Sequence, residues 1–234
     1  MPDSETKPQT LSPKRYNRVE RVLVFAVVMF IAALGYALLL IFQPQNLSDI
    51  GMGEDPAHPV KARDLPQVFS KALEGSYLLR ITEEEINAYL EKTLAARQGG
   101  ALAGVVTLEK VLVRLENERA EIIMVRKCAG RILTTSMWVM IEQTEDDQGT
   151  VETHIDPTGG PMGLLPFMDR GGRFGRLVVP QGFLHLVQSS FARLAGLYPE
   201  EIRLGLEEMA RIRIEEGALV LDPRHDQGAD VMDF

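Results

Sequence analysis

One cysteine, one tryptophan and four histidines in 234 residues leave little from which to build a disulfide framework or a metal cluster. The lone Cys128 cannot close an intrachain disulfide, which excludes a small secreted scaffold stapled by such bonds. It lies in the strand-like run IIMVRKCAG and reads as a small buried hydrophobe. His58, His154, His185 and His225 are scattered, with no H-x-x-x-H pair and no Cys/His set at zinc-ligand spacing, so neither a metal nor a cofactor is expected. Positive charge is also scarce. Against 33 Asp+Glu there are 25 Lys+Arg, a net charge of −8, the wrong balance for a nucleic-acid binder. No repeat with a period of about 20–50 residues is visible. The remaining composition is ordinary: 45% hydrophobic and 25% charged residues exclude wholesale disorder. The length suits one core plus an accessory segment.

The chain does have one long apolar run. Val22 to Phe42, VLVFAVVMFIAALGYALLLIF, contains no charge. As a helix it spans about 31 Å, the hydrocarbon thickness of a bilayer. Lys14, Arg15, Arg18 and Arg21 crowd its N-terminal side, whereas no Lys or Arg follows until Lys61. The positive-inside rule then predicts a single-pass cell-membrane protein with a cytoplasmic N-terminus and an extracytoplasmic remainder. A cleaved signal peptide has a shorter apolar region, about 7–15 residues, ending in a small-x-small site. Leu39-Leu40-Ile41-Phe42-Gln43 offers no such site, which favours an uncleaved signal-anchor. Because every face is apolar, a buried helix of a soluble protein is disfavoured. Residues 43–234 carry 20 Lys+Arg against 30 Asp+Glu, a net charge near −10. Such a domain can touch lipid only through a local basic patch or apolar surface.

Around this span the chain divides into a polar, disordered cytoplasmic tail (1–21), the transmembrane helix (22–42), a Gly/Pro/Asp-rich linker (43–64), a folded domain (65–222) and a flexible tail (223–234). Leu65–Glu74 carries an apolar helical stripe, and Ser76–Ile81 is extended. Thr82 with Glu85 forms a capping box, and Ile86, Tyr89, Leu90 and Leu94 follow at helical spacing until Gly99-Gly100. Val105–Glu116, Arg119–Lys127, Arg131–Gln143 and Thr150–Asp156 read as an antiparallel meander. The third of these is long enough to imply a curled sheet. Pro157–Gly175 is predicted as a connection holding Met162, Leu164, Leu165, Phe167 and Met168. A helix over Gln181–Ala195, a short one over Pro199–Glu208, and a hairpin joining Ala210–Ile214 to Ala218–Leu221 complete the pattern. The predicted class is α+β: a transmembrane helix, then a curled antiparallel sheet with a C-terminal hairpin, packed on two or three amphipathic helices.

Catalysis finds little footing. His185, Ser189 and Asp156 could be drawn as a triad, but no G-x-S-x-G elbow accompanies them. His185 and Ser189 fall on one polar helix face, so no enzyme activity is expected. His154 and Asp156 share a strand face, as alternation alone produces. Arg170, Arg173 and Arg176 form the best basic cluster, in a glycine-rich stretch that either solubilises a turn or clamps an anionic headgroup. The facing apolar stripes either close into a plain core or leave a groove for an acyl chain. In the second case Ile86, Leu90, Leu94, Phe183, Val187 and Phe191 line it.

LRITEEEINAYL, a β-meander, GRLVVPQGFLHLV and IRIEEGALVL, following an N-terminal anchor, together resemble a group of bacterial membrane-anchored envelope domains. The positions carrying the resemblance are Ile81, Thr82, Glu85, Ile86, Asn87 and Leu90, with Ile212, Ile214, Gly217, Leu219 and Leu221. That group is similar to tubular lipid-binding (TULIP-like) domains, in which a curved antiparallel sheet wraps a helix and holds lipid. The resemblance spans roughly residues 65–222 and implies a non-catalytic domain that binds a hydrophobic ligand, a lipid or lipid-linked envelope precursor. The alternative is an envelope scaffold or accessory subunit that binds other membrane or envelope proteins through a sheet edge or its acidic surface.

Overall fold

A computed structural model describes residues 18–50, 62–97, 106–145, 151–163 and 165–224. Outside them lie most of the expected tail (1–17), part of the expected linker (51–61), Gly99-Gly100, Val105, residues 146–150, Leu164 and residues 225–234, and with these His58 and His225. The chain divides between Leu39 and Leu40 into two units. Helix α1 (Arg18–Phe42) supplies the first, and its last three residues belong to the second. None of its residues is buried. With a mean hydropathy of 2.8 over its best window, it is long and apolar enough to cross a membrane.

The second unit is α+β. Helix α2 (Leu65–Gly75) begins at Asp64, whose carboxylate accepts from the Gln67 N–H, and ends where Ser76 turns left-handed. Strand β1 (Leu79–Thr82) leads into helix α3 (Glu83–Arg97). The capping box forms there: the Glu85 N–H donates to Thr82 Oγ1 at 3.3 Å, and the Thr82 N–H donates to Glu85 Oε2 at 3.0 Å. Strands β2 (Val106–Glu116), β3 (Arg119–Cys128), β4 (Arg131–Glu145) and β5 (Val151–Asp156) make the antiparallel meander. Ala129 and Gly130, both at positive φ, form the two-residue turn between β3 and β4.

Residues 157–175 differ from the expected connection. Strands β6 (Pro161–Met162) and β7 (Leu165–Phe174) occupy most of them, and β7 pairs with β4 and with β8 (Leu177–Pro180). Glycine makes this possible: a Cβ on Gly172 would sit 2.0 Å from the Ser136 carbonyl oxygen. The same glycines hide the strand, since they break any apolar alternation. The expected helix over Gln181–Ala195 is two elements. A 3-10 helix over Gln181–Leu186 breaks at Val187 before helix α4 (Gln188–Ala195). After helix α5 (Pro199–Ile202) and a π-type turn over Arg203–Glu207, strands β9 (Arg211–Glu215) and β10 (Ala218–Asp222) form the C-terminal hairpin.

The larger sheet runs β2-β3-β4-β7-β6, with β5 also on β4 and β8 also on β7; β1-β10-β9 makes a second, three-stranded sheet. Alternation gives the larger sheet two different faces. Val111, Val113, Ile122, Met137 and Val139 face the helices and the hairpin, whereas Leu112, Arg114, Glu121, Ser136 and Trp138 face the other way.

Three side chains fasten the edges. Asn87, 1% exposed on α3, accepts from the Val113 N–H at 2.7 Å and donates to the Val113 carbonyl at 2.9 Å. Four residues earlier on the same helix, buried Glu83 accepts from the Leu115 N–H at 2.8 Å. Helix α3 therefore satisfies the outward backbone groups of edge strand β2, as a further strand would. Gln143 on β4 accepts from the Ile212 N–H at 2.7 Å and donates to the Met209 carbonyl, tying the two sheets together.

Residues 43–50, expected to open a linker, are part of the fold. The Gln45 N–H donates to Thr134 Oγ1 and its amide donates to Ser136 Oγ, while Ile50 packs with Leu112 and Ile123. Asp49 accepts from Arg114, which also pairs with the fully buried Glu121. Earlier in the unit, the Arg176 N–H donates to the Leu40 carbonyl, and Gly175, at φ +56, sits against the Leu40, Ile41 and Gln43 carbonyls where no Cβ fits. The polar composition of 43–50 serves the charged outer face of the sheet rather than solvent.

Candidate functional site

Between the inner sheet face, the helices and the hairpin lies a cavity of about 830 Å³. Its floor is Val111, Val113, Ile122, Met137, Val139 and Ile141; Ile86, Tyr89 and Leu90 of α3 and Phe69 of α2 close one side. Ile214 and Leu219 of the hairpin, with Phe191 and Leu194 of α4, complete the walls. Short β-branched and unbranched side chains cover the sheet here without filling the space beneath the helices. The lining residues that are themselves exposed mark the mouth: Ile155 and Pro157 at the end of β5, and Gln181, Gly182, His185, Gln188, Ala192 and Ala195 of the 3-10 helix and α4. This volume is within the range of small-molecule sites, about 300–1,000 Å³, and so is the predominantly apolar wall.

A few polar groups interrupt the wall. The Tyr89 hydroxyl hydrogen-bonds the Glu201 carboxylate, and the neighbouring Tyr198 hydroxyl lies 3.3 Å from Thr93 Oγ1. His185 lines the mouth, but among the described residues no hydrogen bond joins it to Ser189, which lies exposed on α4. His154 pairs with Glu152 at 3.6 Å on an exposed strand. No group of three or more His, Cys, Asp or Glu side chains able to hold a metal occurs among the described residues. Cys128 is half-buried at the end of β3.

The chain matches no protein-family model, no curated protein and no solved structure.

Of the six residues expected to line a groove, Ile86, Leu90 and Phe191 line the cavity, whereas Leu94 and Val187 are buried in the core cluster and are not among its lining residues. Phe183 is different: it faces solvent at 53% exposure. The break at Val187 explains this, because three residues per turn shift Phe183 out of phase with the stripe of Leu184, Val187 and Phe191. The sheet floor, which supplies much of the lining, was not in that expectation. Its signal was present in the alternation of Val111, Val113 and Leu115, but alternation does not say whether a sheet face is packed or open.

The three arginines occupy other places. Arg173 on β7 is paired with Ser136 of β4, on the face opposite the cavity, and lies 3.4 Å from the Glu121 carboxylate. Arg170 and Arg173 both stack on the Trp138 ring, at 5.3 and 4.9 Å from its centroid, and Arg170 donates to the Gly159 carbonyl. Burial, then the charge of nearby Arg119, draws the Arg170 pKa below the ordinary arginine value. For Arg114 burial acts in the same direction, but the Glu121 and Asp49 carboxylates outweigh it and hold its pKa above that value. Arg176 is exposed and donates to the Gln43 side chain. None of the three arginines is among the described lining residues.

Proposed function

We propose that the chain is a single-pass, signal-anchored protein of the cell membrane whose extracytoplasmic domain holds a hydrophobic ligand, a lipid or lipid-linked envelope precursor, without catalysing a reaction on it. The observation that carries the reading is the apolar cavity of about 830 Å³ between the sheet and the helices. A plain core would be filled to near crystal density, because voids lose dispersion contacts and stability. A cavity of this size lined by aliphatic and aromatic side chains suits an acyl chain. The orientation rests on Lys14, Arg15, Arg18 and Arg21 before the apolar helix and the lack of a basic residue after it until Lys61. The TULIP-like reading of the fold belongs to the same proposal, supported by an antiparallel sheet facing a helix across an apolar space.

Native mass spectrometry of the full chain released from detergent tests this. The expected spectrum carries a retained lipid mass, and Ala192→Trp, which plugs the mouth at an exposed position, removes it. Repeated ligand-free spectra of the unsubstituted chain would overturn the reading.

A further inference from the structure

The ligand-binding reading leaves open where the ligand comes from, and the rim of the cavity bears on that question. In the 3-10 helix over Gln181–Leu186, three residues per turn set Phe183 and Leu186 one above the other. They are 53% and 72% exposed, while Gly182 and His185 of the same helix line the cavity. Ile155 on β5 also lines the cavity and is 47% exposed. Large apolar side chains gathered at an opening mark a contact surface, because water covers them at a cost that a partner removes.

Two features select the partner. Residues 43–234 carry a net charge near −10, which leaves a local basic patch or apolar surface as the means of touching lipid, and the rim of the cavity offers apolar surface. The same chain contains an apolar helix long enough to cross a membrane, and its folded unit already begins at Leu40, so a bilayer is the surface always at hand. We propose that Phe183 and Leu186, with Ile155, insert into the hydrocarbon edge of a bilayer, and that an acyl-chain ligand passes over this rim into the cavity without crossing water. The inference rests on the ligand-binding reading but concerns a different surface.

The test uses the full chain in phosphatidylcholine proteoliposomes whose acyl chains carry bromine, a contact quencher of indole. Phe183→Trp and Leu186→Trp place reporters on the rim, and Ile132→Trp places one at an exposed site on β4. Emission of the buried Trp138 is measured on the unsubstituted chain and subtracted. Apolar insertion reaches about 5–10 Å below the headgroups, so emission from both rim reporters should fall by about half or more. Ile132→Trp should keep its emission, and neither added phosphatidylglycerol nor high salt should strengthen the rim signal. Unquenched rim reporters, or equal quenching at all three sites, overturn the proposal; the former is also what a protein partner covering the rim would give. Native mass spectra judge the ligand separately: retained lipid with an unquenched rim sinks only the rim, and ligand-free spectra with a quenched rim sink only the ligand.

Discussion

Replacing Asn87 by alanine tests the way helix α3 is fastened to the sheet. The Asn87 amide makes two hydrogen bonds to one residue of edge strand β2, at 2.7 and 2.9 Å, from a site 1% exposed. Truncation leaves the Val113 N–H and carbonyl without these partners beneath a helix. Each buried, unsatisfied group costs about 1–3 kcal/mol, and the half-buried setting of Val113 favours the lower part of that range, so the total is about 2–4 kcal/mol. For a unit of this size that lowers the melting temperature by about 5–15 °C. The assay is thermal unfolding of the full chain in detergent, followed by the fluorescence of Trp138. Asn87→Asp sharpens it. An ionised carboxylate still accepts from the Val113 N–H but faces the Val113 carbonyl with a lone pair and buries a charge. Its folded-state pKa is therefore raised, the folded chain binds more protons than the unfolded one, and the variant regains stability as pH falls. An Asn87→Ala loss below about 2 °C would refute the reasoning, since the edge groups would then be finding water instead.

Other substitutions probe the remaining parts. Ala192→Trp at the mouth should weaken binding of a pyrene-labelled acyl probe at least about tenfold, or 1.4 kcal/mol, with the melting temperature nearly unchanged. Arg173→Ala should lower stability but leave affinity for that probe unaltered, because the side chain lies against Trp138 and Glu121 on the opposite face; altered affinity would return it to the binding machinery. Glu121→Gln removes a fully buried carboxylate that Arg114 and Ser136 both bond. The loss should be about 2–3 kcal/mol by thermal unfolding, below the usual range for a broken buried pair because Asp49 still holds Arg114. Hydrogen bonds from Arg224 hold the Asp222 carboxyl below its ordinary pKa, so its stabilisation is complete above the ordinary carboxylate range and disappears as pH falls through the lowered value. Asp222→Asn should therefore be less stable than the unsubstituted chain near neutral pH and equal to it in strong acid.

The elements with a strong local signal were legible. The capping box at Thr82 and Glu85 and the hairpin around Gly217 declare themselves within a few residues, and the apolar run before Gln43 does so by its uninterrupted length. The inner stripe of Leu184, Val187, Phe191 and Leu194 was also readable, since all four are buried. What escaped depends on partners distant in sequence. Strand β7 exists because glycine lets it approach Ser136, and Gln45 is buried because Thr134 and Ser136 receive it. Asn87 reads as an ordinary helix residue until Val113, 26 positions away, is placed beside it. For the cavity, the sequence supplied half of one wall. Helical periodicity picked out Ile86, Leu90 and Phe191, while the sheet floor and the phase slip at Val187 needed the third dimension.

The hydrogen bond from the Arg176 N–H to the Leu40 carbonyl, with Gly175 packed against the Leu40, Ile41 and Gln43 carbonyls, bears on how this protein is handled at the bench and how it carries tension. A soluble fragment cut at the end of the apolar run discards part of what that turn holds, so a clean excision point is missing there. A pull along the backbone at Gln43 is not taken up by slack. It arrives at β4, through the two hydrogen bonds of Gln45 to Thr134 and Ser136.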